Sequence, residues 1–134
     1  MPALLSFINI LIKKINAGQE LVDGIMKEKI ERLNEQLNLI YIGHMVYQKK
    51  NNVEEIEKIM PQIQEFVLWF LGGNGFGIEE ELYQDMSRNL LEILKDIAEA
   101  LENGDRVLLH DAAAYGLSEY LRLFLPEQKE GIGG

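Results

Sequence analysis

The strongest constraint on the fold is a pair of helical segments joined by a very short turn near the C-terminal end of the sequence. Apolar residues recur at helical spacing before and after this turn, which reads Asn103-Gly104-Asp105. Gly104 has no Cβ and readily takes the left-handed conformation that closes a helix, and Asp105 offers a carboxylate that caps the next helix. Because so short a turn forces the helices to lie side by side, residues 90–125 are predicted to form an antiparallel helix pair.

Helical periodicity also runs through the rest of the chain, and we find no strand pattern. The predicted helices cover residues 3–16 and 20–49, begin again near Asn52 and Ile78, and end with residues 106–125. The predicted class is therefore all-α, an up-down helical bundle of four long helices plus a short N-terminal helix. Residues 1–126 form the single bundle domain in this interpretation, and residues 127–134 form a flexible tail.

Local signals predict how several of these helices begin and pack. Asn52 is expected to cap the third predicted helix, with Glu55 as its capping-box partner. The last helix is nearly apolar all round and contains the small residues Ala112, Ala113, Ala114 and Gly116, so we expect it at the centre of the bundle. The second predicted helix has a seam at Met26, Ile30, Leu33, Leu37, Ile40, His44 and Tyr47.

Charge and composition exclude several classes of protein. The formal net charge is −9, with twelve acidic and three basic side chains in residues 51–104 against five acidic and seven basic ones in residues 1–50. Such an acidic surface repels phosphate backbones, so we expect no nucleic-acid binding. The apolar start of the chain is too short to span a membrane, and its lysines, Lys13 and Lys14, follow the apolar stretch instead of preceding it as in a signal peptide. We therefore expect a cytoplasmic protein.

No motif indicates catalysis. Cysteine is absent, which excludes disulfides, thiolate nucleophiles and zinc-cysteine sites. The glycine-rich residues 72–77 follow a helix instead of a strand and lack the Gly-Lys-Ser/Thr ending of a phosphate-binding loop, so they are interpreted as an interhelical turn. There is no Glu-x-x-His motif and no serine in a nucleophile-elbow context. We expect a non-enzymatic protein with no catalytic residue, cofactor or metal.

One apolar group stands out as a candidate interaction surface. Residues 66–71 are apolar on every side of their helix, and Leu68 and Trp69 continue lines that are polar earlier in the helix, at Gln64 and Glu65. Either the short N-terminal helix or the loop with Phe76 covers them, or they are exposed and bind a partner. Leu68, Trp69 and Phe76 are the candidate residues.

His44 provides the alternative. It lies on the predicted seam, where a neutral imidazole is either a packed core residue or a ligand to a small molecule or metal. His110 and Asp111 are adjacent in sequence, so on a helix their side chains diverge and do not form an acid–base pair.

The segment ALENGDRVLLHD at residues 100–111, followed by Tyr115, resembles the C-terminal helical hairpin of an uncharacterised family of small cytoplasmic proteins from Gram-positive, often spore-forming bacteria. The resemblance covers about residues 90–121 and implies a helical bundle without known catalytic residues. The general layout is also similar to that of the flagellar secretion chaperones, which are acidic helical bundles.

These observations favour a non-enzymatic interaction protein that binds a protein partner or forms a homodimer, and that is self-associating or chaperone-like. The alternative is a small-molecule or metal-binding helical bundle that uses His44 in its core.

Overall fold

A computed structural model describes residues 24–126, and three long helices come first in that range. α1 spans Gly24–Met45, α2 spans Asn52–Leu71 and α3 spans Glu80–Asn103. Each carries one apolar face at helical spacing, and those faces meet in the interior. The predicted seam of α1 is buried as far as Leu37.

A fourth helix, α4, runs over residues 106–122 and is built from three segments. Arg106–Leu109 and Ser118–Arg122 are α-helical, and His110–Leu117 between them is a π-helix. The part of the chain described here is therefore all-α, with four helices and no strand, which confirms the predicted class. The predicted N-terminal helix (residues 3–16) and tail (residues 127–134) lie outside the described residues.

The turn between α3 and α4 confirms the prediction from the sequence. Gly104 has φ 63°, and the amide of Asp105 donates to the carbonyl of Ala100 at 2.9 Å. Asp105 Oδ1 accepts the amide of Leu108 at 3.1 Å, so the carboxylate caps α4 as expected. A left-handed glycine with these bonds closes α3 and satisfies two of its terminal carbonyls.

α4 packs against each of the other three helices, and so does α2, so α4 shares the central position that was expected for it. Ala112 and Ala113 are buried, and a Cβ added at Gly116 would come within 3.2 Å of the Ile93 side chain. The small residues thus permit close approach of α3. The apolar side chains that are completely enclosed come from α2, α3 and α4: Ile63, Phe70, Leu90, Ile97, Ala100, Leu109, Leu117 and Leu121.

The π-helix changes which residues of α4 face inward. Ser118 is polar, yet it is buried, and its hydroxyl donates to the carbonyl of Ala113 at 3.4 Å. The reason is geometric, since bonds that link residues five apart widen the helix and rotate the residues that follow.

The predicted cap of α2 and the predicted end of α1 are wrong, whereas α2 does begin at Asn52. α2 has Asn51 at its N-cap position with no side-chain cap, and the side chain of Asn52 is instead buried, donating from Nδ2 to the carbonyl of Arg106 at 3.2 Å. Contact with α4 therefore takes precedence over capping. α1 ends at Met45 and not at Lys49, because the chain turns back through Gln48, which has φ 51°. Tyr47 was predicted on the seam of this helix, but it lies beyond the helix end and is exposed.

Candidate functional site

The residues predicted as an interaction surface are split between an aromatic cluster and the solvent. The aromatic cluster consists of Trp69, Phe70, Phe76 and Phe124. Trp69 lies 5.1 Å from Phe76 and 5.0 Å from Phe124 between ring centres. Trp69 and Phe76 are each partly buried, whereas the Leu68 side chain next to them is 69% exposed.

The glycine-rich loop carries Phe76 back onto α2. Asn74 Oδ1 accepts the amide of Ile78 at 3.2 Å, and its Nδ2 donates to the carbonyl of the same residue. Gly73 and Gly77 both have positive φ, which lets the chain reverse within these few residues. The loop therefore covers Trp69 from one side, and a role for Leu68, Trp69 and Phe76 in binding a partner stays a prediction.

A second apolar surface was missed by the sequence analysis. Leu39, Ile42 and Met45 are exposed in the C-terminal part of α1, Val46 is exposed directly after it, and we call these four residues the α1 apolar stripe. Leu39, Ile42 and Val46 are spaced by three and four residues, so they share one helix face. This spacing is visible in the sequence. Since the seam residues of the same helix had already been assigned to the core, it could have predicted a second apolar face.

An open groove lies between the end of α1 and the start of α2. It has a volume of about 490 Å³ and is lined by polar and apolar side chains alike. His44 and Asn52 lie on its wall, together with Gly43 of α1 and the Lys49 side chain that lies against it. The groove thus connects the solvent with His44.

His44 has a second histidine beside it. Its ring centre lies 4.8 Å from that of His110 in the π-helix, and the two ring planes are tilted by 35°. Tyr41 stacks on His110 at 4.9 Å, and Tyr115 meets the His110 ring edge-on at 5.4 Å. We call His44 and His110 the histidine pair.

The π-helix is what brings Tyr115 over His110. In an α-helix two residues five apart point about 140° away from each other, because each residue turns by about 100°. In the π-helix, whose hydrogen bonds link residues five apart, they come to lie on one face. π-Helical turns of this kind occur frequently at functional sites.

Polar atoms near the histidine pair lack hydrogen-bond partners. His44 Nδ1, His110 Nε2 and Asn52 Oδ1 are buried and have no partner among residues 24–126. His110 is 9% exposed and Asn52 3%, and both line a small cavity between α1, α2 and α4. Buried polar atoms are normally paired, so these three call for a ligand or a bound water molecule.

The surroundings of His110 favour its uncharged form. Burial lowers the pKa of this imidazole, the neighbouring His44 lowers it further, and Asp111 acts weakly in the opposite direction. Asp111 itself points to solvent, so the two adjacent residues do not form an acid–base pair, as predicted.

Residues 24–126 contain neither a larger group of metal-binding side chains nor a membrane-spanning helix. No three His, Asp or Glu side chains in that range come together in a group that could hold a metal ion. None of the four helices combines the length and the apolar character that a membrane crossing requires.

Comparison of the chain with models of protein families, with curated proteins and with solved structures finds no match.

Proposed function

We propose that this chain is a non-enzymatic interaction protein, an up-down four-helix bundle that self-associates through the α1 apolar stripe. We place this function in the cytoplasm, as the sequence predicts. The observation that carries the proposal is the continuous exposure of Leu39, Ile42, Met45 and Val46 on one part of a helix. Single exposed apolar residues are common, but a contiguous group of this kind is typical of an interaction surface.

We take a second copy of the same chain as the occupant, because an apolar patch of this kind can pair with itself. In a twofold dimer each residue contacts the partner's counterpart reciprocally. An antiparallel pairing of two α1 helices about Ile42 therefore brings Leu39 of one copy against Met45 of the other.

The expected affinity is modest. The stripe spans about two turns of one helix, well below the roughly 800 Å² per partner of a standard interface. We therefore expect a dimer that dissociates in the micromolar range.

Light scattering across a concentration series tests the proposal. The wild-type protein should change from monomer to dimer, and Leu39→Glu should remain monomeric because it places a carboxylate against the apolar Met45 of the other copy. Leu91→Glu is the matched control, since Leu91 is also an exposed leucine but lies on α3 away from the stripe. A wild-type protein that is monomeric throughout, or a dimer that both variants weaken equally, contradicts the proposal.

A second candidate function is ligand binding at the histidine pair. It is favoured by the three buried polar atoms without partners, His44 Nδ1, His110 Nε2 and Asn52 Oδ1. A ligand that binds only the folded state raises its thermal stability by mass action. A screen of small molecules should therefore yield a stabilising compound whose effect is lost in His44→Ala, and a screen with no such compound and no such metal ion counts against it.

A further inference from the structure

We propose that His44 and His110 together bind one divalent transition-metal ion at the junction of α1, α2 and the π-helix. This inference rests on the second candidate function, ligand binding at the histidine pair, and is independent of self-association. The pair joins residues that are far apart in sequence, on α1 and on α4, so the site exists only in the folded protein.

Ring geometry suits a shared ion. Metal–nitrogen bonds to histidine are about 2.0–2.1 Å long, so an ion bound by one nitrogen of each ring lies about 3.2 Å from each ring centre. Ring centres 4.8 Å apart then subtend about 100° at that ion, close to the tetrahedral angle. Each ring has one buried nitrogen, Nδ1 of His44 and Nε2 of His110, that has no partner among the described residues.

The donor set indicates which ions fit. Imidazole suits Zn²⁺, Cu²⁺ and Ni²⁺, whereas Mg²⁺ and Ca²⁺ require carboxylate and other oxygen ligands. Asn52 Oδ1, also buried without a partner, is the neighbouring oxygen, and no carboxylate completes a group of three ionisable ligands within residues 24–126. The protein therefore supplies two nitrogens and at most one oxygen, and affinity should follow the order in which Cu²⁺ exceeds Zn²⁺.

The surroundings support access and rigidity. The groove of about 490 Å³ between α1 and α2 reaches His44 and Asn52 from the solvent. Tyr41 stacked on His110 limits rotation of that ring, and Asn52 is fixed by its bond to the carbonyl of Arg106. Ligands held in this way lose little entropy when an ion binds.

Calorimetric titration of the untagged protein with Zn²⁺, and electron paramagnetic resonance with Cu²⁺, test this inference. The chain has two histidines, so every imidazole signal comes from this pair. We expect one ion per chain, nitrogen hyperfine coupling from two imidazoles, and no binding of Mg²⁺. His44→Gln and His110→Gln should each weaken binding by about tenfold or more, in line with the cost of disturbing a metal site.

Tyr115→Phe is the matched control, because it keeps the ring beside His110 and removes no nitrogen; it should bind as the wild type does. Circular dichroism and urea unfolding of each variant establish that it is folded, and His44→Gln, at the partly exposed position, is decisive if His110→Gln does not fold. Absence of binding, or equal binding by the wild type and both glutamine variants, overturns the inference. If a small molecule stabilises the protein through His44 and no metal ion binds, ligand binding stands and the metal site is wrong.

Discussion

Replacing Phe76 by alanine should destabilise the protein by about 2 kcal/mol, although Phe76 lies in a glycine-rich loop. The ring lies 5.1 Å from Trp69, 5.4 Å from Phe70 and 5.2 Å from Phe124, measured between centres. A fully buried Phe→Ala change costs about 3–5 kcal/mol, and Phe76 is partly buried, so about half of that is expected. For a chain of this size the loss corresponds to a fall in Tm of about 6–10 °C.

Urea unfolding and tryptophan emission measure this effect together. Trp69 is the only tryptophan in the chain, so its emission reports directly on the aromatic cluster. Removal of the Phe76 ring should admit water to the indole and move the emission of the folded state to longer wavelength.

Leu68→Ala is the control for Phe76→Ala. It changes the neighbouring residue of Trp69, but its side chain is 69% exposed, so we expect a change within about 0.5 kcal/mol. Equal losses in the two variants, or a folded-state emission that is the same with and without the Phe76 ring, would refute the reasoning that the loop covers Trp69.

Three further predictions concern single polar or backbone features. Tyr83→Phe removes the hydroxyl that donates to the buried carbonyl of Phe70 at 2.6 Å, and calorimetric melting should show a loss of about 1–2 kcal/mol. Gly104→Ala should cost about 1–2 kcal/mol in urea unfolding because of its positive φ, whereas Gly75→Ala, with open space and no such φ, should not destabilise. The third prediction concerns pH. The pKa of His110 is lowered in the folded chain, so the unfolded chain binds a proton there more tightly. With EDTA present, the free energy of unfolding should therefore fall as the pH drops from 6.5 through the folded-state pKa of His110, and level off below it. His110→Gln should flatten that pH dependence, and an unchanged slope would show that another group causes it.

Much of the helical framework could be predicted because its signals are local. Gly104 and Asp105 lie next to the helix ends that they close and cap, so sequence spacing alone predicted the bonds that the structure shows. The capping prediction for Asn52 was wrong for the opposite reason. The side-chain amide could either cap its own helix or bond to another element. In the structure it donates to the carbonyl of Arg106, 54 residues away, and no local sequence pattern reveals that partner.

The candidate sites were predictable only in part. His44 was singled out as a possible ligand, but its neighbour His110 comes from another helix and from a π-helical turn that has no clear sequence signal. Trp69 and Phe76 were recognised as one apolar group, while the choice between covering and exposure depended on how the Gly73 to Gly77 loop folds.

What the chain by itself determined is the all-α class and the short turn at 103–105, because periodicity and glycine conformation act within a few residues. What only the tertiary structure decided is which atoms from different helices meet. His44 and His110 lie together, and Leu39 stays exposed, because the packing of four helices and the wider turn of α4 set the rotation of every helix face.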